Sequence, residues 1–213
     1  MHRSITNAAE VLYRNAAAVR AVEGIEVNQF TRALEALERL AAAIDAPLAL
    51  VGGLAGIYHR AMVTTLDIDV VVPADKLDAV ITQAAQCGLL VKHASDDGWH
   101  RLAFADEQGE VAIEIVPAGR KSPRDPAYAP PTPGPRELGV ERGLGYASFA
   151  GWVALKLVAN RDKDRYHLIE ALKQAGEMDV ASVVVRLRSL DPSYLKEFQR
   201  LVEAAEAEKQ ENW

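Results

Sequence analysis

The feature that most constrains the fold is a short strand pattern that stops at a pair of glycines. Residues 48–51 are all apolar, Gly52 and Gly53 interrupt them, and residues 54–59 continue with helical spacing. Such a run predicts a buried strand, a tight turn and then a helix. A second strand is predicted at residues 66–72, because Pro73 ends the pattern there.

Further elements follow in the next part of the chain. Residues 74–88 predict an amphipathic helix closed by its glycine. Residues 89–93, 100–105 and 110–116 predict strands, and residues 106–109 predict the hairpin turn between the last two. We therefore expect an α/β (α+β) fold, in which a mixed sheet is flanked by helices and followed by a helical C-terminal part.

A proline-rich segment divides the chain. Six prolines lie between residues 121 and 136, and this density excludes a regular helix or a central strand. We expect N-terminal helices at residues 1–46, a core domain at 47–120, a proline-rich loop at 121–136 and a helical part at 137–213.

The charge and cysteine content exclude several classes of protein. A formal net charge of −6 and a pI near 5.4 argue against a protein that coats nucleic acid through bulk positive charge, although a local basic cleft is compatible with them. The lone Cys87 excludes an internal disulfide framework. No stretch approaches the roughly 18 to 20 apolar residues of a membrane span, and the start lacks a secretory pattern. We expect a cytoplasmic protein without a membrane segment.

Two aspartates on the second predicted strand indicate chemistry. Side chains alternate along a strand, so Asp67 and Asp69 project from one face and Ile68 from the other. Two carboxylates that close repel each other unless a cation lies between them, and hard oxygen ligands suit Mg²⁺. The alternative is a solvated strand end that carries two acids.

The glycine pair adds to this pattern. Gly52 and Gly53 lie between a strand end and a helix start, where a glycine backbone can approach an anion such as a triphosphate. An ordinary tight turn is the alternative for an isolated glycine pair. A glycine turn followed by Asp-x-Asp on the next strand is more specific than either half alone.

This combination resembles the signature of the nucleotidyltransferase superfamily, and within it most resembles bacterial AbiEii-type and related minimal nucleotidyltransferases. Three segments carry the resemblance, and it spans about residues 30 to 175. They are residues 51–69, with the glycines and aspartates; residues 111–115, with Glu114; and residues 155–164, with Lys156 and Arg161.

The resemblance implies a site and an activity. Asp67, Asp69 and Glu114 would hold Mg²⁺, or Mn²⁺ in its place, and Gly52, Gly53, Lys156 and Arg161 would bind the nucleotide. The implied reaction moves a nucleoside monophosphate from a nucleoside triphosphate to an acceptor hydroxyl on an RNA end, a protein or a small molecule. Many members are toxins of toxin–antitoxin pairs, so a cognate antitoxin is an implied partner. The proline-rich loop is then expected to cover the site.

Departures from the family pattern leave a second interpretation open. Val63 stands where relatives often have arginine, and His167 stands where they often have aspartate. The alternative function is a catalytically silent module that binds nucleotide or a partner through the same cleft. Independently of that choice, Glu114 has the alternative of a solvated strand position, and Lys156 has the alternative of a solvated helix face.

The tryptophans carry no functional expectation. Trp99, Trp152 and Trp213 are too scattered along the chain to predict a base-stacking platform.

Overall fold

The computed structural model describes residues 17–61, 65–121, 131–190 and 192–211. Residues 1–16 of the expected N-terminal helices, Val63, the tip of the proline-rich loop and Trp213 lie outside the described residues. None of the described helices is long and apolar enough to cross a membrane.

The described residues form one six-stranded mixed sheet and seven labelled α-helices. The strands, in the order β3-β4-β5-β2-β1-β6 across the sheet, are β1 Leu48–Leu50, β2 Asp67–Val72, β3 Leu90–His93, β4 His100–Asp106, β5 Gly109–Pro117 and β6 Leu144–Tyr146. The helices are α1 Gln29–Ala43, α2 Gly52–Tyr58, α3 Leu77–Gln83, α4 Phe149–Ala159, α5 Asp162–Gln174, α6 Glu177–Leu190 and α7 Pro192–Glu211. Residues 17–22 are also helical.

Pairing within the sheet mixes both directions. Strand β2 lies antiparallel to β1 and parallel to β5, while β4 forms an antiparallel hairpin with β5 across the predicted turn. Strand β6 pairs in parallel with β1 at the opposite edge from β3. The expected fold class, a mixed sheet flanked by helices with a helical C-terminal part, is confirmed.

Two details differ from the sequence-based expectations. The helix expected over residues 74–88 is broken into a 3₁₀ turn, the seven-residue helix α3 and a second 3₁₀ turn that ends at left-handed Gly88. Strand β6 was not predicted, because its three residues, Leu144–Tyr146, follow the proline-rich segment and show no alternating pattern of their own. The part expected to be helical therefore also supplies an edge strand.

One face of the sheet is packed against helices. Ile68 and Val70 of β2 and Ile113 of β5 share a buried cluster with Phe30 and Leu37 of α1. Helix α1 begins at Asn28, whose side-chain oxygen accepts hydrogen bonds from the backbone N–H groups of residues 30 and 31, so its entry to this core is fixed.

The alternate residues of β2 point to the other face. There Ala49, Val51 and Val71 pack with Leu138 and Ala147 in a smaller cluster. The C-terminal helices α4 to α7 form a third cluster around Trp152 and Phe198, and this cluster also includes Ala55 of α2. The helical part thus packs directly on the glycine turn and its helix, where it leaves a cleft over Asp69.

Candidate active site

Three acidic side chains lie on the same face of the sheet. Asp67 and Asp69 alternate with buried Ile68 along β2, and both are half-buried. Glu114 of β5 is the register partner of Asp69, and Arg101 of β4 is the register partner of Glu114. The row Arg101–Glu114–Asp69 therefore runs across three neighbouring strands.

The glycine turn lies directly against this row. Gly52 has a φ of +58°, and a Cβ atom there would fall 1.7 Å from Oδ2 of Asp69. A Cβ atom on Gly53 would fall 2.3 Å from Cβ of Thr65. Both positions need glycine for close approach of the turn to β2.

Hydrogen bonds fix the aspartates. The backbone N–H of Val51 donates to the backbone oxygen of Asp69 at 2.9 Å, which holds the turn on β2. The hydroxyl of Thr65 donates to Oδ1 of Asp67 at 2.7 Å. Thr65 is 5% exposed, so this contact orients one carboxylate from a buried position.

Electrostatics at Asp69 reflect the crowding of acids. Burial, followed by the charges of Asp67 and Glu114, raises the pKa of Asp69 to about 6, while Lys156 and Arg161 act in the opposite direction. A nearby cation would favour the charged form of this carboxylate, because it offsets the repulsion from the other acids.

Two cations on the helical part face the same region, and a buried acid holds both. Lys156 of α4 donates from Nζ to Oδ1 of Asp164 at 2.7 Å, and Arg161 donates from Nη2 to the same oxygen at 3.0 Å, with its Nε contacting Oδ2. The pKa of Asp164 is lowered by its hydrogen bonds from Arg161 and Lys156, although burial opposes this shift. Asp164 itself is fully buried.

The alternative of a solvated helix face is wrong for Lys156, because the residue is only 6% exposed. Helix α4 ends at Asn160, which adopts a left-handed conformation, and α5 then folds back so that Asp164 reaches Lys156. His167 lies nearby on α5, and burial and then Lys156 lower its pKa. The group of two cations, one acid and one neutral imidazole thus carries a net positive charge at neutral pH.

A cavity of about 280 Å³ joins the two sets of charges. Its described lining is Val51, Gly52, Asp69, Val71, Trp99, Val116, Thr132, Trp152, Leu155, Lys156, Val158, Ala159 and Arg161. Gly52, Asp69, Lys156 and Arg161 therefore meet at one cavity. Gly53, Asp67 and Glu114 lie beside it without lining it.

Two of the three tryptophans meet at this cavity, which their spacing in the sequence did not indicate. Trp99 and Trp152 are 53 positions apart in the chain, yet both line this cavity. The indole N–H of Trp152 donates to the backbone oxygen of Gly52 at 3.0 Å, so Trp152 ties α4 to the glycine turn.

Sequence reasoning missed several residues of the site. Thr65 and Asp164 lie in segments that carry the resemblance but were given no role in the site, and Arg101 was not named. One signal for Asp164 was available. An acid in the first turn of a helix can accept a hydrogen bond from the backbone N–H at the start of that helix, and so lies close to the turn that precedes it. Arg101 could be found only from the strand register.

The site can accept a divalent cation together with a phosphate ligand. No group of three or more His, Cys, Asp or Glu side chains in the described ranges is arranged to hold a metal ion by itself. Mg²⁺, however, commonly uses one or two protein carboxylates and completes its shell with phosphate oxygens and water. The adjacent carboxylates of Asp67 and Asp69, with the raised pKa of Asp69, fit that requirement.

A larger cavity of about 740 Å³ lies elsewhere, at the far end of β2. It is lined by residues that include Pro73, Arg136 and Arg186, and it contains none of the predicted site residues. The smaller cavity is therefore the candidate active site, because it alone combines the glycine turn, an aspartate and the cations among the cavities of the described chain.

Comparisons with known proteins give matches among solved structures only. No family model matches the chain, and no curated protein matches it. Among solved structures, it is similar to the crystal structure of ANT(2")-Ia in complex with adenylyl-2"-tobramycin, with a TM-score of 0.44 and 17% sequence identity. The likeness covers 86% of this chain and 99% of that chain. At this level it says nothing of the substrate of this chain.

Removal of the Asp69 charge should stabilise the metal-free protein. Burial and the neighbouring acids raise the pKa of Asp69 from its usual 3.8 to about 6 in the folded protein. The charged side chain thus reduces the free energy of unfolding progressively between about pH 4 and pH 6, and fully above that. We expect Asp69→Asn to raise this free energy at pH 7.5 by up to about 3 kcal/mol, and by much less at pH 4. Urea unfolding without divalent cations measures both values.

The exposed Asp75, just beyond β2, supplies the matched control. Asp75→Asn should leave stability unchanged at both pH values. A gain for Asp69→Asn that is the same at pH 4 and pH 7.5 would contradict the assigned cause.

Removal of the buried acid should have the opposite effect. We expect Asp164→Asn to lower the free energy of unfolding by roughly 3–5 kcal/mol, because Lys156 is then buried without its carboxylate partner. The double variant Asp164→Asn with Lys156→Met should recover much of the loss, since no uncompensated buried ammonium remains. Thermal and urea unfolding of both variants measure these effects. A loss below about 1 kcal/mol for the single variant would argue against a buried ion pair.

Proposed function

We propose that this chain is a Mg²⁺-dependent nucleotidyltransferase that moves a nucleoside monophosphate from a nucleoside triphosphate to an acceptor hydroxyl. One observation carries the proposal. The carboxylate of Asp69 lies against the glycine turn, beside Asp67, and lines a single cavity with the cations Lys156 and Arg161. Paired acids opposite paired cations suit a metal–triphosphate complex, which presents both positive and negative charge.

Each side of the cavity has a separate task. Asp67 and Asp69 would hold Mg²⁺ or Mn²⁺, and the backbone of the glycine turn, Gly52 and Gly53, would lie beside the phosphates, with Gly52 lining the cavity. A bound Mg²⁺ would neutralise charge that builds on the phosphoryl and pyrophosphate oxygens. Lys156 and Arg161 stabilise the same charge from the helical part.

The positive side of the cleft is held in advance of binding. Asp164 receives hydrogen bonds from Lys156 and Arg161, so both cations keep fixed positions without a ligand. A preorganised cation stabilises developing charge more effectively than a mobile one, because no reorganisation is needed during the reaction.

The group transfer is an in-line displacement at the α-phosphorus. The acceptor oxygen forms a bond to phosphorus, the bond to the bridging α–β oxygen breaks, and pyrophosphate leaves with the electron pair. Glu114 accepts the hydroxyl proton of the acceptor. Its Oε1 receives a hydrogen bond from Nε of Arg101 at 2.8 Å, but both side chains are partly exposed, at 35% and 58%. Such a pair is weak, so Glu114 can exchange Arg101 for the acceptor.

The acceptor is an RNA end, a protein hydroxyl or a small molecule. A role as the toxin of a toxin–antitoxin pair belongs to the same proposal and rests on the sequence resemblance. The catalytically silent module stays as the second candidate, because His167 stands where relatives often carry an aspartate and Val63 stands where they often carry an arginine.

One experiment separates the two candidates. The protein is incubated with each α-labelled nucleoside triphosphate, Mg²⁺ and total cellular RNA and protein, and label transfer and pyrophosphate release are measured. Transfer that requires Mg²⁺ supports the enzyme. Mg²⁺-dependent binding of triphosphate with no pyrophosphate release across the acceptors supports the silent module. Absence of Mg²⁺-dependent triphosphate binding contradicts the enzyme and the nucleotide-binding form of the silent module.

Neutralisation of either aspartate should abolish the activity. Asp67→Asn and Asp69→Asn keep size and polarity but remove the charge that holds the metal. We expect transfer to fall at least about a hundredfold in each variant, with a matching loss of Mg²⁺-dependent triphosphate affinity. Asp75→Asn serves again as the control and should keep wild-type rates. Wild-type transfer and affinity in both site variants would disprove the metal-site assignment.

Glu114 is tested by a change that keeps its shape. Glu114→Gln should slow transfer by about a hundredfold or more, because an amide cannot accept the proton of the hydroxyl. Triphosphate affinity should change much less. Glu110→Gln is the matched control, since Glu110 lies on the same strand and pairs with Lys92 at the surface. A fully active Glu114→Gln protein would return Glu114 to the role of a solvated strand residue.

A further inference from the structure

The cavity has an aromatic wall that no part of the proposed mechanism uses. Trp99 precedes β4 by one residue and lies two positions before Arg101, so strand alternation places both on one face. Val116 and Val71, which are register partners, lie one alternate position beyond Glu114 and Asp69. All three residues, Trp99, Val116 and Val71, line the cavity.

The loop before β4 holds Trp99 in place by hydrogen bonds at both sides of its backbone. Its N–H donates to Oδ1 of Asp97 at 3.2 Å, and its backbone oxygen accepts from the hydroxyl of Ser95 at 3.1 Å. The Ser95 hydroxyl also contacts Asp97. The pKa of Asp97 is lowered by these hydrogen bonds, first by the one from Ser95.

Gly98 completes this arrangement. Its φ is +85°, and a Cβ atom there would fall 2.6 Å from Cδ1 of Leu77 and 3.3 Å from Cβ of Pro117. Only glycine fits both the backbone conformation and the contact. The chain therefore packs the loop tightly on α3 and the end of β5, and the next residue enters the cavity.

Helix α4 adds apolar side chains to the cavity. Leu155, Val158 and Ala159 line it, as do the charged side chains of Lys156, Arg161 and Asp69. Thr132 is the only uncharged hydroxyl or amide side chain among the described lining residues. Among the described residues, the cavity thus offers an aromatic ring and aliphatic side chains but few side chains that form directional hydrogen bonds.

We propose that Trp99 forms the nucleobase subsite of the triphosphate, and that the subsite selects by stacking area. Purine triphosphates then bind better than pyrimidine triphosphates, while adenine and guanine are separated poorly. This inference rests on the proposed nucleotidyl transfer. A ligand with a planar ring at one end and phosphates at the other matches a cavity that is lined by an aromatic ring and by charged side chains.

The volume agrees with this division. Small-molecule pockets commonly span roughly 300–1,000 Å³, and this cavity of about 280 Å³ lies just below that range. It can take the base and part of the sugar at the Trp99 end and the first phosphate at Asp69, Lys156 and Arg161, while the remaining phosphates extend over Asp67 and the glycine turn. An acceptor would instead approach Glu114, which lies outside the cavity lining.

The test uses three ligands and two variants. Isothermal titration calorimetry with Mg²⁺ measures dissociation constants for a non-hydrolysable ATP analogue, a non-hydrolysable CTP analogue and inorganic tripolyphosphate, which has no base. Trp99→Leu removes the ring but keeps an apolar side chain, and Trp99→Phe keeps a ring. Melting temperatures confirm that each variant is folded.

We expect a specific pattern of affinities. The wild-type protein should bind the ATP analogue at least about threefold more tightly than the CTP analogue. Trp99→Leu should weaken the ATP analogue roughly 10- to 100-fold, as loss of one base–aromatic stack does, and leave tripolyphosphate unchanged. The affinities of Trp99→Phe for the ATP analogue and for tripolyphosphate should stay within about threefold of wild type.

Other outcomes overturn the inference in distinguishable ways. If tripolyphosphate binds normally but Trp99→Leu leaves the ATP analogue unchanged, the base subsite is wrong and the proposed function stands. If Trp99→Leu lowers the affinity for tripolyphosphate and for the ATP analogue equally, Trp99 does not bind the base. If the wild-type protein binds none of the three ligands in the presence of Mg²⁺, the proposed function fails together with the inference.

Discussion

The carboxylate of Asp69 lies against the bare backbone of Gly52, and the rest of the site is arranged around that contact. A Cβ atom on Gly52 would overlap the carboxylate, so the turn and β2 can meet only with glycine there. Trp152 ties α4 to the same turn through its indole N–H, and α4 carries Lys156. A single close approach of backbone and acid thus sets where the sheet, the glycine turn and the helical part converge.

Stability and function oppose each other at this point. Burial and neighbouring acids raise the pKa of Asp69, so its charged form reduces the free energy of unfolding at neutral pH. On the other side of the cavity, Asp164 is fully buried but receives hydrogen bonds from Lys156 and Arg161. The acids on the sheet are left in need of a cation, whereas the two cations on the helices are held by one acid and keep a net positive charge. A metal–triphosphate ligand would match this asymmetry, because its metal supplies the cation that the acids need and its phosphates lie beside the cations on the helices.

Much of the sheet and part of the site followed from local patterns. The glycine turn, the two aspartates of β2 and the β4–β5 hairpin are each specified by neighbouring residues, because strand alternation and turn chemistry act over a few positions. Strand β6 did not follow, because three residues after a proline-rich segment carry no periodic signal. The burial of Lys156 did not follow either, since it depends on how α5 folds back after the left-handed Asn160.

By itself, the sequence determined the order of the first five strands along the chain, the face shared by Asp67 and Asp69, and the residue types able to hold a metal and phosphates. Only the tertiary structure decided that Lys156 is paired with Asp164 and that Arg101 lies beside Glu114. It also brought Trp99 to the cavity of Trp152, although they lie far apart along the chain. The physical reason is that face and turn type depend on local backbone geometry, whereas ion pairing, burial and a shared cavity depend on packing between distant segments.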